Sequence, residues 1–118
     1  MGAGVAGFLG VGLGAFGAHG LRARLSPEML AVFETGVRYQ MYHVFAMLAA
    51  AWAFAHWQRR EFVFAGWSFI LGIVIFSGSL YALAFTNIHW LGAVTPIGGL
   101  LLLAGWLCLT WGAVRAKR

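Results

Sequence analysis

Four apolar runs, each about as long as a bilayer is thick, take up nearly all of this chain: about 3–21, 39–57, 62–86 and 90–114. A helix needs about 20 mostly apolar residues to cross the hydrocarbon core. Backbone in lipid must also satisfy its own polar groups, which only helices and closed barrels do. The runs are continuous rather than alternating. They therefore predict an all-α membrane protein: four transmembrane helices in one bundle, with 1–118 as a single domain. The chain is 62% hydrophobic and 9% charged, with a mean hydropathy of +0.84. That leaves no room for a soluble catalytic domain, so function must reside in the bundle or at its faces.

The connecting segments support this division. Residues 22–38 form a polar interlude in which Ser26-Pro27-Glu28 reads as a helix start, with Ser as N-cap, Pro at the first position and an acid near the positive helix end. Met29, Leu30, Val32, Phe33 and Val37 then suggest a short amphipathic helix over about 27–38, resting at the interface or in a groove. Gly36 is a candidate bend before the second span. Glu34 and Arg38, spaced i,i+4, are placed to pair. The second and third spans join through a tight hairpin at Arg59-Arg60-Glu61, and the third and fourth through Thr86-Asn87-Ile88-His89. Trp57, Trp67, Trp90, Trp106 and Trp111 include several near run ends, as an interfacial belt requires. Residues 2–20 carry eight glycines. Within the first run Ala6, Gly10, Gly14 and Ala18 form a small-xxx-small stripe, suited to packing against the other spans or against a second copy. It has no basic segment before it, so it is expected to persist as a span rather than be cleaved as a signal.

Eight Lys/Arg against three Asp/Glu give a net charge of +5. The bases sit at run ends and form no patch interleaved with aromatics, so the charge points to membrane anchoring and not to nucleic acid. Four spans put both termini on one side, with Arg59, Arg60, Arg115, Lys117 and Arg118. Arg22, Arg24 and Arg38 fall on the other. By the positive-inside rule the termini are cytoplasmic, though five against three is a modest bias.

Polar side chains are costly in such a chain and tend to face a bundle interior. His19 lies roughly 5 Å along the axis from Arg22, and His43 about 6 Å beyond Tyr39. Ser77, Ser79 and Tyr81 come late in the third run, and Thr95, Pro96 and Gly98-Gly99 early in the fourth. All four spans thus deliver polar or helix-breaking residues to the non-cytoplasmic half. On the second run Gly36, Tyr39, Gln40, His43, Met47 and Phe54 share one face. Two functional readings follow. In one, His19, Tyr39, Gln40, His43, Ser77, Ser79 and Tyr81 line a polar half-pocket that binds or passes a small ligand, lipid headgroup or ion. In the other, these residues fix helix packing, and the glycine stripe holds a partner or a second copy.

Catalytic and cofactor chemistry find little support. There is no CxxC, no HExxH and no carboxylate cluster. The chain has no Asp, so no Ser-His-Asp set, and its three Glu all lie in connecting segments. That separates it from proton-coupled small exporters, which want an intramembrane carboxylate. Each span offers at most one suitably deep histidine for haem or a metal. No metal, cofactor or enzymatic activity is therefore predicted. Cys108 sits alone in the fourth run and forms no intrachain disulfide.

Four segments carry a family resemblance: Gly14-Ala15-Phe16-Gly17-Ala18-His19-Gly20-Leu21, Phe33-Glu34-Thr35-Gly36-Val37-Arg38-Tyr39-Gln40-Met41-Tyr42-His43, Phe76-Ser77-Gly78-Ser79-Leu80-Tyr81 and Thr95-Pro96-Ile97-Gly98-Gly99. In this order, across essentially the whole chain, they resemble the YgdD-like family of small bacterial inner-membrane proteins, a domain of unknown function with animal relatives. The resemblance implies four spans and an inner-membrane location. It implies no substrate, reaction or cofactor.

Overall fold

The computed structural model describes residues 1–117. Arg118, counted above on the basic side, lies outside them. Four helices follow one another: α1 (Gly2–Phe16), continued by a π-helical turn at Gly17–Leu21, then α2 (Pro27–Trp57), α3 (Arg60–Thr86) and α4 (Thr95–Ala116), the last preceded by a 3-10 turn at His89–Ala93. Three helical stretches are long and apolar enough to cross a membrane: Gly2–Leu21, Arg60–Thr86 and His89–Ala116. The 31-residue α2 is long enough, but Tyr39, Gln40, Tyr42, His43 and His56 dilute its apolar stretch.

The boundaries follow from local chemistry. Ser26 caps α2 by accepting from the Met29 N–H at 3.1 Å, with Pro27 in the first turn. Both hairpins end in a left-handed residue, Gln58 (φ 52°) after α2 and Asn87 (φ 57°) after α3. Each sends its N–H back to close the preceding helix, to the carbonyls of Phe54 and Leu83. Pro96 falls in the first turn of α4, where a missing N–H costs no helical bond.

The expected interfacial helix at 27–38 is instead the first third of α2, and Gly36 is no bend. A Cβ at Gly36 would lie 2.7 Å from the Tyr81 ring, so the glycine permits close approach of α3. Phe33 explains why this segment packs rather than floats. It is fully buried with Leu21 and Ala84, and its ring lies 5.2 Å from Tyr81. Glu34 and Arg38 are both exposed and do not pair with each other. In water such a pair gains too little to hold two flexible side chains together.

The helices pack in sequence: α1 on α2, α2 on α3, α3 on α4. Met1 lies near Phe62 and Val63, and Arg115 meets Glu61, so both ends of the chain gather beside the α2–α3 turn. Several glycines of this first helical stretch face α2. A Cβ at Gly10 would run into Met41, at Gly14 it would touch Val37, and at Gly17 it would lie 2.7 Å from Phe33. Ala6 packs beside the main core cluster, while Ala18 is exposed. Of the two uses expected for the stripe, against the other spans or against a second copy, Ala6, Gly10 and Gly14 serve the first.

The α3–α4 seam has a pattern of its own. Phe62, Phe69 and Phe76 recur every seventh residue on α3, and Gly98, Gly105 and Gly112 every seventh on α4. A Cβ at Gly112 would lie 2.8 Å from Phe62, at Gly105 2.5 Å from Phe69, and at Gly98 it would strike the Phe76 backbone. Gly112 and Gly105 make room for the Phe62 and Phe69 rings and Gly98 for the α3 backbone at Phe76, with the seven-residue spacing of a coiled seam. The main core, with Ala46, Met47, Ala50, Ala65, Phe69, Ile73 and Leu102, lies beside it.

Candidate functional site

Because α2 runs unbroken from Pro27, the polar residues sit deeper than their place in the run suggested. His43 lies about 24 Å from the start of α2 and about 21 Å from its end. It is a mid-helix residue, not an outer-half one. The single polar layer expected from the sequence resolves into three separate sets of contacts.

The first set ties α1, α2 and α3 together. Gln40 is buried; its amide N–H donates to the Ala6 carbonyl at 2.7 Å, and its amide oxygen accepts from the Tyr81 hydroxyl at 2.6 Å. Close by, buried Ser77 donates to the Gly36 carbonyl at 2.7 Å. An open groove of about 470 Å³ between the three helices has Gln40, Ser77 and Tyr81 among mostly aliphatic walls. The second set joins α3 to α4: Ser79 donates to the Phe76 carbonyl at 2.8 Å and shares a 2.5 Å hydroxyl contact with Thr95.

The third set centres on His43, which turns towards α4. The Trp106 indole N–H donates to its Nε2 at 3.1 Å, and its Nδ1 lies 2.6 Å from the Tyr39 carbonyl. An indole nitrogen only donates and a carbonyl only accepts. Both bonds are therefore met together by neutral imidazole with its proton on Nδ1. Aromatic rings surround it, with Phe69 at 5.6 Å, Trp106 at 5.9 Å and Tyr39 stacked at 6.4 Å. Beside it lies an open groove of about 710 Å³ between α2, α3 and α4, walled by Phe76, Pro96, Leu100, Leu103 and Trp106. Tyr39 and Tyr42 form its rim, both substantially exposed and neither hydroxyl hydrogen-bonded among the described residues.

His19 joins none of these sets. It is exposed in the π-helical turn, well away from the face that α1 gives to α2. Gly17 and Leu21 of the same turn are buried instead. Sequence reasoning also missed Trp106. It counted as a belt residue, yet it sits mid-way along α4, where an indole N–H in hydrocarbon needs a partner. That depth was the available signal. Among the described residues no three His, Cys, Asp or Glu gather as a metal site would require.

A family model described as "Protein of unknown function (DUF423)" matches residues 13–99. The chain belongs to this family. The DUF423 match runs from late α1 to Gly99 and so takes in Gln40, His43, Ser77, Ser79, Tyr81 and Thr95, but stops short of Trp106. The UPF0382 membrane protein SH2409 of Staphylococcus haemolyticus is 50% identical over 101 residues, covering 86% of this chain and 82% of its own. The UPF0382 membrane protein YwdK of Bacillus subtilis is 44% identical over 108 residues, 91% and 88% of the two chains. The UPF0382 inner membrane protein YgdD of Escherichia coli K12 is 43% identical over 119 residues, 98% and 88%. The resemblance read from the four motifs is therefore borne out. With the apolar helices, these relatives place this DUF423 chain as an integral protein of the inner, or plasma, membrane. No solved structure matches the chain.

Proposed function

We propose that this protein is a non-enzymatic, four-span membrane protein that holds an apolar or amphipathic membrane molecule in the groove between α2, α3 and α4. The observation that carries this reading is the groove itself: about 710 Å³, aromatic and aliphatic walls, and two tyrosine hydroxyls free at its rim. Its size is in the range of small-molecule sites, which pair apolar walls with a few polar groups. Counting α2 as the fourth span is supported by its antiparallel packing along α3. At about 46 Å it exceeds the roughly 30 Å core. Arg59, Arg60, Arg115 and Lys117 then put both termini in the cytoplasm.

In this reading Tyr39 and Tyr42 supply the polar contacts, and the His43–Trp106 pair forms the floor. Gln40, Ser77, Ser79 and Tyr81 act as fasteners between helices, because their hydrogen-bonding groups are engaged with one another or with backbone. That engagement favours the structural reading for those four residues.

The test fills the groove. A Cβ at Gly99 would meet Phe76 at an ordinary 3.8 Å, so Gly99→Leu extends into the groove without a backbone clash. Native mass spectrometry of protein released from membrane-derived nanodiscs should show a bound molecule on wild type. It should be lost from Gly99→Leu at unchanged thermal stability. An adduct pattern identical in both proteins would defeat the proposal.

A further inference from the structure

At the opposite end from the tyrosine rim, beside the α2–α3 turn, lies a second and quite different pocket of about 580 Å³. Arg59, Arg60 and Arg115 line it with Glu61, between Trp57 at the end of α2 and Trp111 near the end of α4. Arg59 and Arg115 both reach the same carboxylate oxygen, Glu61 Oε1, at 3.3 and 2.9 Å. One negative charge thus gathers two guanidinium groups, and Arg60 adds a third with no ion pair among the described residues.

The Nε–H of Arg59 is buried and has no hydrogen-bond partner among the described residues. Buried donors are rarely left so. Nearby, α3 begins without a side-chain cap, so its first N–H groups and positive dipole end add to the field. Anchoring at the membrane surface accounts for basic residues at a helix end. It does not account for two of them converging on one oxygen, or for the orphaned N–H beside it.

We infer that this pocket binds a phosphate group, held by the forked donors of Arg59 and Arg115. Guanidinium groups match phosphate oxygens in pairs. The flanking tryptophans place the pocket at the depth of lipid headgroups. The phosphate belongs either to an anionic phospholipid or to a free anion.

The test uses the full-length protein in nanodiscs of phosphatidylcholine and phosphatidylglycerol, with lipid retention followed by native mass spectrometry. Wild type should retain phosphatidylglycerol preferentially. A basic residue near a membrane surface contributes about fivefold in affinity, so Arg59→Gln with Arg115→Gln should weaken retention about 25-fold. The pair Arg22→Gln with Arg24→Gln, at the other end, should leave it unchanged. Should the glutamine pair fail to fold, Arg59→Lys with Arg115→Lys keeps the charge, removes the fork and should still weaken retention. Inorganic phosphate is the second probe. Tight binding of it, lost in the same variants, assigns the site to a soluble anion; retention of phosphatidylglycerol alone assigns it to lipid. If neither probe binds, or if the two pairs of variants lose binding equally, the inference is overturned.

Discussion

Among the described residues, Gln40→Leu removes the one side chain that hydrogen-bonds to two neighbouring helices at once. Leucine keeps much of the volume, so the loss is of hydrogen bonds and not of packing. Two disappear: the 2.7 Å bond to the Ala6 carbonyl and the 2.6 Å bond from Tyr81. Interhelical hydrogen bonds in a membrane average about 0.6 kcal/mol and reach about 1.7 kcal/mol. The expected cost is therefore about 1–2 kcal/mol. Most of it should come from Tyr81, because the Ala6 carbonyl also serves its own helix. Equilibrium unfolding in mixed micelles measures the cost, and a cycle with Tyr81→Phe isolates the bond. The double variant should fall short of the sum of the singles by about 0.6 kcal/mol or more. Amide exchange adds a spatial check, since α1 should lose protection before α3 and α4. Wild-type stability in Gln40→Leu, or additivity within about 0.3 kcal/mol, would refute the account of Gln40 as a three-helix fastener.

Gly105→Ala should destabilise by about 1–3 kcal/mol, because its Cβ would lie 2.5 Å from the Phe69 ring, and Phe69→Leu should recover part of the loss. Solid-state NMR of the His43 ring should show the proton on Nδ1; a proton on Nε2 would contradict the Trp106 bond. Trp106→Phe should cost about 1 kcal/mol by leaving Nε2 without a donor.

The apolar runs located α1, α3 and α4, and Ser26-Pro27 marked the start of α2, because length, hydropathy and capping are local properties. The unity of α2 was not legible. Whether Gly36 bends a helix or admits a neighbour depends on Tyr81, 45 positions further along. Depth went wrong with it, since His43 was measured from Tyr39 and not from Pro27. Phase correctly gathered Tyr39, Gln40 and His43 on one side of α2. Yet Gln40 and His43 are about 60° apart around the axis, enough for one to meet α1 and α3 while the other meets α4. Which neighbour stands on each side is a tertiary fact that periodicity alone does not contain.

The phenylalanine–glycine ladder between α3 and α4 has an ambiguity built into it. Its rungs are chemically alike and seven residues apart, so sliding α4 by two turns would still seat two phenylalanines in two glycine holes. Shape alone distinguishes the true alignment from its neighbour by a single rung. The polar contacts at the two ends supply the missing discrimination. Ser79 meets Thr95 beyond Phe76 at one end, and Glu61 meets Arg115 beside Phe62 at the other. A slide of seven residues would carry these partners about 10 Å apart. These exposed or half-buried contacts, modest in energy, act as the alignment marks of a hairpin whose core would otherwise tolerate two settings.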